Sequence, residues 1–336
     1  MNRTELDALA AHHRLSPRAV DTMLALARAR PDAAELRRFV GRLLQLAGAL
    51  SLAAGLVFFV AANWATLPVA GRFAAVEGAF AVAVGVAIWR PAPHALGRLA
   101  LLVAFIAAGA LLALFGQTYQ TGADVYELFL TWALLGLPLV LAAQWSVAWA
   151  AWALVLNVSL LLFCGFRPEA GLFWLVFSGF SLDLPVLLVA AMLVDVVLWV
   201  ATLAVARTRW SHVAPRWLRR FVLAAAVAFG TWAGVVAIAM PRFESGAADL
   251  VAVLIVVGVL AAIAVHTLRE RVDVFPLAAV ASGAIVLSST AIARYASLDD
   301  LGTFFTLAAW LIVSSSVSGH LLMKAVRAWR NQEARI

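Results

Sequence analysis

Ten apolar runs follow one another along the chain, each close to the roughly 20 residues that a helix needs to cross the hydrocarbon core of a bilayer. They lie at about 41–63, 70–89, 97–116, 127–144, 146–165, 185–206, 220–240, 247–267, 273–293 and 302–323. Composition agrees, with 65% hydrophobic and only 13% charged residues, against about 45 to 50% and 25% for globular proteins. A water-soluble core-and-shell protein is thereby excluded. The expected fold class is all-α, a polytopic transmembrane helical bundle of about ten spans with a short N-terminal cytosolic helical segment. The segment GLFWLVFSGF at 171–180 is too short to cross and reads as an interfacial or re-entrant piece. No apolar run occurs in the first 40 residues, where a cleavable signal would need one close to the start, so the first span is expected to stay as an uncleaved anchor.

Three parts are expected: a helical cap at 1–40, a transmembrane domain at 41–323 and a basic tail at 324–336. Within the cap, Thr4 is placed to start one helix and Ser16 before Pro17 to start a second, while Asp32 with Glu35 fits a capping box for a third. Orientation follows from the basic residues, because Lys and Arg accumulate in cytoplasmic loops. With ten spans and the amino terminus inside, 21 of the 25 Lys and Arg residues fall on the inner side. The four outer ones are Arg72, Arg167, Arg242 and Arg294. Both termini are then cytoplasmic, and the polar stretch between the third and fourth spans faces outward.

That stretch carries the densest polar cluster between spans, with Gln117, Tyr119, Asp124 and Glu127 as candidate residues of an outward mouth. Asn63 and Trp64 end the first span on the same side and are candidates for its rim, although Trp and Tyr at this level also serve as interface anchors. Two acids lie inside spans, Glu77 in the second and Asp195 in the middle of the sixth. Ionisable groups at such depth are functional candidates by default. A neutral Glu77 hydrogen-bonded between helices also accounts for the first, and Asp195 needs a partner on another helix, a cavity or a proton. Glycines at 41, 48 and 55 and at 71, 78 and 85 repeat every seven residues. Small residues allow close helix approach, so these two stripes are expected to pack the first two spans together.

The stretches GLVFFVAANW (55–64) and FGQTYQTGADVYELFLTWALLGLPL (115–139) resemble the prokaryotic membrane family known as domain of unknown function 2157, as does the helical segment before the first span. The likeness covers about residues 1–145. It implies a bacterial inner-membrane protein and carries no established activity. It also implies a small envelope protein as a partner on the outer side.

Enzyme signatures are missing: no phosphate-binding loop, His-Glu-x-x-His or Gly-x-Ser-x-Gly motif occurs. No cofactor and no metal site is expected, and the single Cys164 excludes an intrachain disulfide. The net charge of +7 is spread over short loops rather than gathered in a nucleic-acid-binding domain. His266 and His320, near inner span ends, read as headgroup-level residues. The serine sets at 288–289 and 314–316 read as helix-contact hydroxyls. Two functional readings remain. A transport-type protein would run a polar route from the outer mouth past Glu77 and Asp195, and class frequency slightly favours it. A scaffold or assembly protein would instead hold partners on its outer loops and amino-terminal cap.

Overall fold

The computed structural model describes residues 12–13, 15–26, 33–120, 122, 124–166, 184–239, 246–270, 273–296 and 300–333. They form α1 (Pro17–Leu26), α2 (Ala33–Ala62), α3 (Val69–Trp89), α4 (Ala95–Tyr119), α5 (Val125–Ala143), α6 (Ser146–Phe163), α7 (Leu184–Ala206), α8 (Arg216–Ala239), α9 (Gly246–Glu270), α10 (Phe275–Tyr295) and α11 (Asp300–Glu333). No strand occurs among the described residues. The ten helices from α2 to α11 are long and apolar enough to span a bilayer, and each coincides with one of the ten expected runs. The ends differ most at the two long helices. α2 starts at Ala33, inside the expected cap, and α11 continues through the basic tail to Glu333. Ser16 caps α1 as expected, its hydroxyl accepting from the Ala19 N–H at 3.3 Å, with Pro17 in the first helical position. Thr4, Asp32 and the segment 171–180 lie outside the described residues.

The chain divides into two compact units, Met1–Leu114 and Phe115–Ile336. In the first, α2 and α3 form a hairpin whose buried cluster is Val60, Val76 and Leu114, with Trp64 and Phe73 packed against it. The glycine expectation is corrected here. A Cβ added at Gly41, Gly48, Gly55, Gly78 or Gly85 would meet nothing within 4 Å, and Gly71 faces only its own turn at Pro68 and Leu67. The buried residues are instead Ala53 and Val60 on α2 and Val76, Ala83 and Ala87 on α3. The glycine stripes do not mark the packed face. In lipid both faces of a spanning helix are apolar, so hydropathy does not mark the one that packs.

In the second unit, α8 lies at the centre, packed on α6, α7, α9 and α10. Gly230 and Gly234 make this approach possible. A Cβ at Gly230 would fall 2.5 Å from Met192 Sδ on α7, and one at Gly234 would run into Leu287 Cδ2 on α10. On α10, Gly283 lies against Thr231 in the same way, an added Cβ falling 2.8 Å from its hydroxyl oxygen. The Gly-x-x-x-Gly spacing of 230 and 234 is the usual signature of close transmembrane packing, and the seven-residue pattern drew attention away from it. Side-chain bonds to neighbouring helices pin the rest. Trp152 Nε1 donates to the Ala133 carbonyl at 2.8 Å and the Ser159 hydroxyl to the Tyr126 carbonyl at 2.9 Å, joining α6 to α5. Trp310 Nε1 donates to the Ser288 hydroxyl at 3.1 Å, joining α11 to α10. The hydroxyls of Thr267, Ser282, Thr290 and Ser314 donate to carbonyls one turn back in their own helices, which satisfies them without any polar path.

Candidate functional site

Asp195 sits midway along α7, eleven residues from either end, or about 16 Å at 1.5 Å per residue. Its neighbours one turn away, Ala191, Met192 and Trp199, belong to the core of the second unit. Asp195 is fully buried. Its Oδ1 accepts from Asn157 Nδ2 on α6 at 3.0 Å, and the same amide nitrogen donates to the Ala153 carbonyl at 2.9 Å. Asp195 Oδ2 and Asn157 Oδ1 are buried without a hydrogen-bond partner among the described residues. Of the three ways open to it, Asp195 takes a partner on another helix, and that partner is an amide, not a cation. It lies 38 residues away in the chain, beyond the reach of any local spacing rule. Asn157 and Ser159, which spell a glycosylation triplet, both serve contacts between helices.

Glu77 has a different environment. It is exposed on α3, next to the open Gly78, and has no hydrogen bond or ion pair among the described residues. Arg72, five residues earlier, is committed to the α2–α3 turn. Its Nε donates to the Leu67 carbonyl at 3.0 Å, its Nη2 to the Trp64 carbonyl, and its guanidinium lies 4.0 Å from the Trp64 ring centroid. Asn63 is spent locally too, Nδ2 donating to the Phe59 carbonyl at 2.9 Å and closing the end of α2. Trp64 packs with the apolar cluster of the first unit.

The remaining outer candidates surround the α4–α5 connection in the second unit. Gln117 and Tyr119 lie in the last turn of α4, where the Tyr119 ring stacks on Phe115 at 4.8 Å. The chain reverses through left-handed residues at Gln120 (φ 45) and Gly122 (φ 68). Asp124 then precedes α5 in extended conformation, and Glu127 stands in its first turn. Gln117, Tyr119, Asp124 and Glu127 are all exposed.

Sequence reasoning missed a pocket at the opposite ends of α7 to α10. A cavity of about 230 Å³ is lined there by Arg207, Arg219, Arg220, His266, Glu270 and Asp273, together with Trp199 and Pro276. Arg207 Nη2 binds Glu270 Oε1 at 2.8 Å. Arg220 grips Asp273 with two bonds of 2.8 Å, from Nε and Nη2, and the Phe275 N–H adds a third at 3.1 Å. Burial alone would raise the Asp273 carboxyl, but these bonds and the nearby Arg216 charge outweigh it and hold the group below its ordinary range. Arg219 has no carboxylate partner among the described residues, and its Nε is buried without an acceptor. The three arginines thus exceed the two acids, leaving one guanidinium uncompensated. The signal in the sequence was the Arg216–Arg220 group, which topology counting absorbed as an orientation marker.

Ten helices long and apolar enough to cross a bilayer, each with its backbone bonded within itself, define a multi-pass membrane protein. Residues 7–163 match the family model described as predicted membrane protein, DUF2157, so the resemblance read from the 55–64 and 115–139 stretches holds over that part of the chain. No curated protein and no solved structure matches the chain.

Proposed function

We propose that this protein is a scaffold or assembly protein of the bacterial inner membrane, with both termini cytoplasmic, and not a transporter. The carrying observation is the placement of Asp195. A transport route needs its intramembrane acid on a wetted path, whereas Asp195 is enclosed in the α6–α7–α8 core and bonded to Asn157. Exposed Tyr119 and Asp124 at the α4–α5 connection then provide the outward surface for the small envelope protein that the family likeness implies. The basic split supports a reading in which that connection lies outside and the Arg207–Arg220 end inside.

Topology is tested first. In a Cys164→Ala background, Ser211→Cys is expected to react with an impermeant thiol reagent only from the cytoplasmic face, and Gln120→Cys only from the outer face. Labelling of both from one face would remove the ten-span arrangement. Function is tested in proteoliposomes loaded with a pH-sensitive dye. Proton leak is expected to match protein-free vesicles for wild type, Glu77→Gln and Asp195→Asn alike. In cells, crosslinking to the envelope partner should be lost in Tyr119→Ala/Asp124→Ala and kept in Asp195→Asn. A flux abolished by Asp195→Asn would overturn the scaffold reading.

A further inference from the structure

We infer that the basic end of the second unit is a binding site for one anionic phospholipid, with the phosphate in the arginine pocket and an acyl chain in the groove between α7 and α9. The pocket does not end at its charged lining. A second cavity of about 390 Å³ shares Trp199, Leu203, Arg207 and His266 with it and continues along Val196, Val200, Val259 and Ile263. From Val196 to Arg207, the residue after α7, this groove follows eleven residue steps, about 16 Å at 1.5 Å per residue. One leaflet of hydrocarbon is about 15 Å thick, half of the 30 Å core. The charged group is therefore at headgroup level, and the apolar channel below it has the depth of a single leaflet.

Charge selects the headgroup. Arg207 and Arg220 are neutralised by Glu270 and Asp273, while Arg219, half-buried in the same lining, forms no ion pair among the described residues. A phosphate oxygen supplies the missing anion, and guanidinium donors match phosphate geometry. Basic pockets between spans on the cytoplasmic side are suited to anionic headgroups. Inorganic phosphate satisfies the same arginine but leaves the groove unfilled, so the groove commits the site to a lipid.

The full chain in detergent is titrated with dioctanoyl phosphatidylglycerol, dioctanoyl phosphatidylcholine and inorganic phosphate, reading the thermal midpoint and, by native mass spectrometry, the bound mass. Phosphatidylglycerol is expected to stabilise and to bind as one copy, with phosphatidylcholine and phosphate well behind. Arg219→Gln should weaken phosphatidylglycerol about fivefold, the equivalent of one arginine near a membrane surface, and Arg219→Lys should restore most of the loss. Ala262→Trp, which fills the groove, should weaken the lipid and leave the response to phosphate unchanged. If either variant fails to fold, wild type decides: affinity should rise from dihexanoyl to dioctanoyl phosphatidylglycerol. Equal responses to the two lipids, a phosphate response matching phosphatidylglycerol, an unchanged Arg219→Gln or no dependence on chain length would each overturn the site.

Discussion

Gly97→Ala is expected to lower stability by about 2 kcal/mol, the larger part of what a single overpacking change costs. Gly97 is buried in the first turn of α4, where the chain arriving from α3 folds back across the helix. An added Cβ would run into the Arg90 carbonyl oxygen, with Arg90 C at 3.0 Å and Pro91 C at 3.2 Å. These are backbone atoms held by the His94 N–H bond to the Pro91 carbonyl at 3.1 Å, so no side-chain rotation relieves the contact. Overpacking of this kind costs up to about 3 kcal/mol, and the helix propensity gained by alanine returns roughly 1 kcal/mol. Gly48→Leu and Gly78→Leu provide the contrast, since both positions open to free space. Their thermal midpoints in detergent should stay at or rise above the wild-type value while that of Gly97→Ala falls. Equal behaviour of all three would mean that the α3–α4 connection does not hold this geometry.

Span number and approximate position were legible because they depend on length and hydropathy, which the bilayer imposes directly, whereas the polar extensions of α2 and α11 beyond their apolar runs were not. The Ser16–Pro17 start of α1 was legible for a similar reason, since a cap and its helix are adjacent in the chain. Packing faces were not. Gly48 and Gly230 sit in equally apolar surroundings, and only the second meets another helix. Lipid offers no contrast by which hydropathy distinguishes them. The polar pairs were hidden by sequence distance. Arg207 finds Glu270 and Arg220 finds Asp273 across 63 and 53 residues, separations that spacing rules do not reach. Arg72 shows the converse, its contacts all lying within the local α2–α3 turn.

Asn157→Leu is expected to cost about 1 to 3 kcal/mol, the range for leaving a buried polar group unpaired. The amide is the one hydrogen-bond partner of Asp195 among the described residues, and its removal leaves both carboxyl oxygens unsatisfied in a core of Met192, Trp199 and Leu223. Hydrogen bonds between spanning helices average only about 0.6 kcal/mol, so the loss arises mainly from the orphaned acid and not from the bond itself. The Asp195→Leu/Asn157→Leu pair should therefore recover most of it, because replacing both partners of a buried polar contact with apolar groups is close to neutral. A double-mutant cycle on thermal or denaturant unfolding of the second unit measures the difference. Coupling of at least about 1 kcal/mol is expected, against the 0.3 to 0.5 kcal/mol within which independent sites add. Additive single changes would mean that water reaches Asp195. The acid would then lie on an open path, and the case for a closed scaffold core would fall with the pair.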